Sequence, residues 1–254
     1  MDDTDGKSFA GKVALVTGVS SGLGLAVARV LSDRGAHVFG VARGGDALRE
    51  AMIEVAGSDG ERRYAETDVA SSEACAAAVA SCVSALGGLD VLVNVAGAHT
   101  LRHTPDVTDE DWAHDLAVNL NGPFYLSRAA LPHLLERGGN IVNVASVAGL
   151  EGQAYSAGYC AAKHGLVGLT RAMALEFVGT PLRINAICPG GMMTPQVANF
   201  VFPEGVDFEL VMKSAGPRGL MEPEDVAKMV AFVASDDAAA VHGAVYAVDS
   251  GKMA

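Results

Sequence analysis

No stretch of this 254-residue chain approaches the roughly 18 consecutive apolar residues of a membrane-spanning helix, so a bilayer is not an expected partner. The opening residues, MDDTDGKS, are acidic and polar and lack the apolar core of a secretory leader. Residues 1–10 read as a flexible acidic tail, and a cytoplasmic location is expected. Positive charge is scarce: 18 Lys and Arg stand against 30 Asp and Glu, a formal net charge of −12. Such a surface repels nucleic acid and anionic membranes at long range, which removes nucleic acid too from the expected partners. Metal-site signatures are missing. Cys75, Cys82, Cys160 and Cys188 form no CxxC pair, and the histidines show no HExxH spacing. His99 and His103 are four apart, but Pro105 and the polar run around them place them in a loop. No metal is expected, and buried free thiols in a reducing compartment account for all four cysteines. Linkers, Gly/Ser-rich blocks and internal repeats are also lacking, so residues 11–254 read as a single domain.

What the chain does have is alternation. Short β-rich runs at 12–17, 37–42, 62–69, 89–97, 140–146, 183–190 and 243–251 are separated mostly by helical patterns. Helices are expected at 22–35, 46–57, 71–88, 108–137, 154–179 and 223–235. Strands that are nearly continuous in apolar residues need cover on both faces. The pattern therefore predicts an α/β fold: one doubly wound, Rossmann-type, seven-stranded parallel sheet with helices on both faces. The less regular stretch 191–222 is read as a lid over a substrate.

Between the first strand and the first helix lies TGVSSGLG, residues 17–24. A turn in this place aims helix N–H groups at whatever binds above the sheet. Gly18 permits the tight turn, Gly22 lets the backbone approach a pyrophosphate, and Gly24 lets helix and strand pack closely. A turn that simply needs glycine is the plainer alternative. In dinucleotide-binding units an acidic residue ~20 positions later accepts from the ribose hydroxyls. Ala42 stands at that place here, and Arg43 follows it. A missing carboxylate beside a guanidinium favours a 2′-phosphate, so NADP(H) is favoured and NAD(H) remains possible.

YCAAK, residues 159–163, puts Tyr159 and Lys163 on one helix face, about 6 Å apart along the axis. Alone, the pair is either an ordinary exposed contact or a proton-donating device. The ordered set TGVSSGLG, NVAG at 94–97, Asn119, Ser146, Tyr159-CAA-Lys163 and PGGMMT at 189–194 resembles a classical short-chain dehydrogenase/reductase, from about residue 11 to 251. The resemblance implies a catalytic set of Asn119, Ser146, Tyr159 and Lys163. It implies cofactor contacts from Gly18, Ser20, Ser21, Gly22 and Leu23 in the turn, and adenine contacts from Asp68 and Val69. It also implies a backbone passage under the cofactor at Asn94, Ala96 and Gly97, and nicotinamide-side contacts from Pro189, Gly190 and Thr194. Helices 108–137 and 154–179 would pair across two-fold axes to make a homotetramer. Two departures are visible. Val95 replaces the second Asn of the family's NNAG, which would cost a sheet-bridging hydrogen bond, and Ser250 interrupts the family's terminal DGG.

The resemblance implies interconversion of a secondary alcohol and a ketone. Tyr159 would exchange the proton, its ordinary pKa near 10 being lowered by Lys163. Ser146 would donate to the substrate oxygen, and Asn119 would hold a water linking Lys163 to solvent. Segment 195–217 offers Val197, Phe200, Val201, Phe202, Phe208, Leu210, Val211 and Met212. These line an apolar pocket or else fill the core or a subunit interface. His99, Glu151 and Gln153 are candidates for polar specificity. A non-catalytic dinucleotide-binding sensor or scaffold is the alternative function. An extended epimerase would need a larger C-terminal part, and the three-residue Tyr–Lys gap disfavours an enoyl reductase.

Overall fold

Every residue of VALVT, Val13–Thr17 (β1), is buried, as a strand covered on both faces requires. In the computed structural model, which describes residues 8–55, 60–213 and 216–254, β1 begins a sheet of seven strands. Most of the expected acidic tail, the end of the helix expected at 46–57, and two lid positions lie outside those residues. The remaining strands are His37–Ala42 (β2), Arg62–Glu66 (β3), Val91–Asn94 (β4), Asn140–Val144 (β5), Arg183–Pro189 (β6) and Val245–Val248 (β7). Their spatial order is β3-β2-β1-β4-β5-β6-β7, and every neighbouring pair is parallel. The strand order reverses between β1 and β4, and such a reversal opens a crevice beyond the carboxyl ends of the strands.

The long helices are Gly22–Asp33 (α1), Gly45–Glu54 (α2), Ser72–Leu86 (α3), Asp109–Leu116 (α4), Gly122–Arg137 (α5) and Ala157–Glu176 (α6). Two short ones in the lid, Pro195–Ala198 (α7) and Phe208–Met212 (α8), precede Pro223–Ala234 (α9). Strand periodicity divides the core. Ala14 and Val16 pack with Val27, Leu31, Val226 and Val230 from α1 and α9. Leu15 faces the other way, with Leu126, Leu134 and Ile141. Full burial of one such leucine contributes about 1.5–3 kcal/mol, so the two clusters hold the sheet between its helical layers. No helix among the described residues is long and apolar enough to cross a membrane.

Two helix readings and one strand reading are corrected. The helix expected over 108–137 is interrupted by a π-helical turn, Ala117–Asn121. Pro123 lacks the N–H that would bond to the Asn119 carbonyl, and the Asn119 side chain donates to the Asp115 carbonyl at 2.9 Å. Helix α6 starts at Ala157 rather than 154, because Tyr155 has φ 62°, outside the helical region. It ends at Glu176, short of 179. Strand β3 stops at Glu66, and 67–69 run on as a loop. Cys75 and Cys82 share one buried face of α3, and Cys188 is buried, but Cys160 is only half-buried. Its Sγ accepts from Gln153 N at 3.3 Å on the site side of the molecule.

Candidate active site

A cleft of about 990 Å³ lies at the carboxyl ends of the strands. Arg43 and Asp68 line one end, the 18–24 turn and Ala96–Gly97 its floor, and Ser146, Tyr159 and Lys163 the other end. Of the cofactor contacts implied by the sequence, Gly18, Ser20, Ser21, Gly22, Leu23, Arg43, Asp68, Val69, Ala96, Gly97, Pro189, Gly190 and Thr194 all line it.

The floor fits a dinucleotide. Gly18 has φ 73°, and a Cβ there would lie 3.1 Å from Ala96 Cα. A Cβ on Gly24 would lie 2.2 Å from the Gly18 carbonyl, so only glycine lets α1 approach the turn. Ser21 at the N-cap makes no side-chain capping bond. The first N–H groups of α1 are therefore left for an anion, with the positive end of the helix dipole behind them. Across the strand-order reversal, Thr17 Oγ1 accepts from Val95 N and Ala96 N, each at 2.8 Å. The Thr17 hydroxyl thus joins β1 to the end of β4 where Val95 has no polar side chain. At the other departure, Ser250 adopts φ 56°, a conformation in which glycine would be unstrained.

Two implied site residues stand behind the cleft wall instead of in it. Asn94 is buried and donates to Asn143 Oδ1 at 2.8 Å. Asn143 donates in turn to Thr170 Oγ1 at 2.9 Å, and Thr170 to the Leu166 carbonyl at 2.8 Å. Asn119 is fully buried in the π turn, donating to the Ala98 carbonyl at 2.8 Å. Its Oδ1 is still reachable: a Cβ on Gly97 would lie 3.0 Å from Asn119 Oδ1 and 3.8 Å from Lys163 Nζ. The two side chains converge beneath a residue that has none.

Lys163 is 3% exposed, and its Nζ donates to the Val144 carbonyl at 2.9 Å. The Nζ lies 5.6 Å from the centre of the Tyr159 ring. Burial disfavours charge on both groups. It pulls Lys163 down to about 8 and pushes Tyr159 up to about 12, a hydrogen bond from Ser146 opposing the latter. Against the lowering expected from Lys163, the tyrosine in the protein alone stands above its ordinary value, because desolvation is the largest influence on it. Ser146 Oγ accepts from Ala148 N at 3.1 Å, which orients the oxygen and leaves its proton to be donated to Tyr159.

His99 lies on the tyrosine, rings 4.0 Å apart at 15°, and meets the Phe200 ring edge to face at 5.0 Å. Its Nε2 is 2.8 Å from Ser156 Oγ. The single Ser156 hydroxyl proton goes to the Ala154 carbonyl, so His99 Nε2 carries the hydrogen between them. Burial, reinforced by Lys163, pulls the imidazole pKa down to about 4, so the ring is neutral near pH 7. Gln153 also lines the cleft, but Glu151 does not; it pairs with Lys252. From the lid, Val197, Phe200, Phe202, Val211 and Met212 line the cleft, Met212 while 64% exposed; Val201 and Phe208 do not line it and are exposed. None of the eight lid hydrophobics is in the core. Gln196, Asn199 and Leu220 line it too, and no motif in the sequence marked them. Among the described residues no group of three or more His, Cys, Asp or Glu could hold a metal.

A family model described as enoyl-(acyl carrier protein) reductase matches residues 18–252. The chain is 37% identical, over 94% of its length and 95% of the relative's, to short-chain dehydrogenase/reductase olcF of Penicillium canescens. The chain belongs to the short-chain dehydrogenase/reductase family. Cyclohexanol dehydrogenase of Acinetobacter sp. (strain SE19) is 38% identical over 98% of each sequence. The crystal structure of a tryptophan-substituted actinorhodin polyketide ketoreductase with NADPH superposes with a TM-score of 0.87 at 38% identity, covering 95% of this chain and 97% of that one. As a short-chain dehydrogenase/reductase, a family that uses NAD(P)(H), the protein is an oxidoreductase acting on CH–OH groups.

Proposed function

We propose that this short-chain dehydrogenase/reductase interconverts an uncharged, apolar secondary alcohol and its ketone with NADP(H), using Asn119, Ser146, Tyr159 and Lys163. One observation carries the reading: Ser146, Tyr159 and Lys163 line the same cleft as the glycine turn, so an oxygen atom at their end can be reached from a dinucleotide lying along the floor. The bound cofactor supplies or accepts the hydride. The chain's own residues manage the oxygen. In reduction, Ser146 donates a hydrogen bond to the carbonyl oxygen and steadies the charge that grows there. Tyr159, kept neutral by burial, hands its phenolic proton to that oxygen. The ammonium of Lys163 replaces the proton, and Asn119 Oδ1, converging with it beneath Gly97, holds the path along which Lys163 is recharged. Oxidation runs the same transfers backwards. Gly18, Ser20, Ser21, Gly22 and Leu23 would hold the pyrophosphate, Asp68 and Val69 the adenine end, and Pro189, Gly190 and Thr194 the nicotinamide side. Ala96 and Gly97 would form the floor, with Asn94 fixing it from below.

The cofactor preference is supported by Arg43, which lines the cleft where β2 ends without a carboxylate and makes no ion pair among the described residues. Substrate polarity is supported by the roof. Arg43, Asp68 and Lys163 are the charged residues lining the cleft, two of them at the adenine end and the third buried. A substrate carboxylate held against Phe200, Phe202 and Val211 would meet no cation at that end of the cleft, and even partial desolvation without one is unfavourable. Exposed Trp112, Phe124 and Leu175 on α4, α5 and α6 support pairing of those helices into a homotetramer, which a monomeric mass by light scattering would refute. Residues 11–254 form the catalytic unit in this reading, and 191–222 the lid.

The deciding experiment is Tyr159→Phe. Cofactor affinity is expected to hold while turnover falls on the order of 10²-fold or more. Near-normal turnover would remove Tyr159 from proton transfer.

A further inference from the structure

Two residues with no role in the chemistry hold the roof of the cleft. The roof comes from two stretches of the lid, Phe200 and Phe202 before a loop and Val211 and Met212 after it. Contacts within the lid are local: Phe202 packs on Phe208 at 5.4 Å between centroids, and Leu210 N and Val211 N donate to the Asp207 carbonyl. The loop joining the two stretches is tied to the body of the protein at two points. Asp207 N donates to the Tyr155 hydroxyl at 2.8 Å. His103 Nε2 donates to the Glu204 carbonyl at 2.9 Å. The anchors touch each other, their rings meeting edge to face at 5.0 Å and 82°. Arg102 N donates to the Tyr155 carbonyl at 2.9 Å, joining the segments that carry the two rings.

Two features make this more than a surface contact. Tyr155 has φ 62°, a left-handed conformation that is strained for a bulky residue and persists only where surrounding contacts fix it. Asp207 also caps α8, its Oδ1 accepting from Glu209 N at 2.8 Å. A displacement of Asp207 therefore reaches Val211 and Met212 through the helix it starts.

We infer that Tyr155 and His103 are positioning residues: a two-ring latch that holds the lid closed over the substrate half of the cleft and so sets the apolar wall. The inference rests on reading that cleft as the active site. The ring contacts and side-chain hydrogen bonds of the two anchors go to each other and to the lid loop, and not to the 17–24 turn, Tyr159 or Lys163.

The test uses Tyr155→Phe, His103→Phe and the double variant of the full chain. Both substitutions keep a ring, and Tyr155→Phe keeps the strained backbone, so the fold is retained. Hydrogen exchange over 203–212, read without any substrate, is expected to quicken roughly five-fold in each single variant, as the loss of one neutral hydrogen bond implies. The double variant should fall short of the product of the singles, because both bonds hold one loop. KM for a neutral alicyclic alcohol should rise by a similar factor, with kcat and the Kd for NADPH unchanged. Unchanged exchange in both singles would overturn the latch. So would faster exchange with unchanged KM, since the lid would then not shape the substrate wall. Should the wild-type protein oxidise no alcohol at all, the activity reading falls, and the exchange comparison decides the latch by itself.

Discussion

Replacing Lys163 with methionine is expected to stabilise the folded protein at neutral pH while removing turnover. Burial pulls the lysine from its ordinary 10.5 to about 8. That difference corresponds to about 3 kcal/mol of unfavourable charge burial. The sign follows from proton counting. Below pH 8 both folded and unfolded chains hold the proton, and the full cost applies. Between 8 and 10.5 the unfolded chain holds a proton that the folded chain has released, so the lysine's contribution to stability rises with pH. Above 10.5 the cost is gone. Methionine fills much of the same volume without a charge, but it leaves the Val144 carbonyl without its 2.9 Å donor, a loss of about 1–2 kcal/mol. The net expectation at pH 7 is a gain of about 1–2 kcal/mol for the variant, shrinking through pH 9 and reversed by pH 10.5. Urea unfolding of the cofactor-free protein at several pH values reads this directly. Cys75 and Cys82, pushed up by burial and not influenced by Lys163, titrate in both proteins and cancel in the difference, whereas His99 and Cys188 both feel the Lys163 charge and contribute to it. A variant that is less stable at pH 7, or a difference that does not move with pH, would refute the claim that Lys163 is held at an energetic cost for the sake of the chemistry.

Arg43→Asp should lower the kcat/KM preference for NADPH over NADH by at least about ten-fold, the loss of one charge-assisted contact; an unchanged ratio would remove Arg43 from phosphate recognition. Given matched alicyclic alcohols with and without a carboxylate, the enzyme should turn over the neutral one faster, and a preference for the acid would contradict an uncharged roof. Asp115 is buried with Oδ1 unpartnered, and burial raises its pKa from 3.8 to about 6. The folded protein therefore retains a proton that the unfolded chain releases across that interval, and stability falls as pH rises through it. Asp115→Asn should be more stable than wild type at pH 7.5, with the advantage gone by pH 4; parallel curves in urea would show that the carboxylate is already solvated.

Much of the architecture could be read from the chain because parallel strands buried on both faces leave unbroken apolar runs, as in VALVT and HVFGVA. The glycine turn was equally legible: each glycine answers to a steric demand that the structure shows at Gly18 and Gly24. What escaped were events decided by single side chains acting on the backbone. The π turn depends on Asn119 donating to carbonyls while Pro123 withholds an N–H, and neither disturbs the helical period of the residues around it. The late start of α6 depends on one left-handed tyrosine. His99 was marked only as a candidate for polar specificity; its stacking on Tyr159 escaped, because its partners Tyr159 and Ser156 are some 60 positions away. The retreat of Asn94 and Asn119 behind the wall has the same cause: a motif marks which residues belong together, and only packing decides which of them face the cleft.

The run of amides and hydroxyl from Asn94 through Asn143 to Thr170 crosses from the strand beneath the floor to the helix bearing Tyr159 and Lys163. It lies in the interior, out of reach of the rim. Spacing between the cleft floor and the Tyr159–Lys163 pair is thus fixed from within, while the loop between Phe202 and Val211 is tied separately, through Tyr155 and His103. A change of lid can then alter which molecules are admitted without altering how far a hydride must travel.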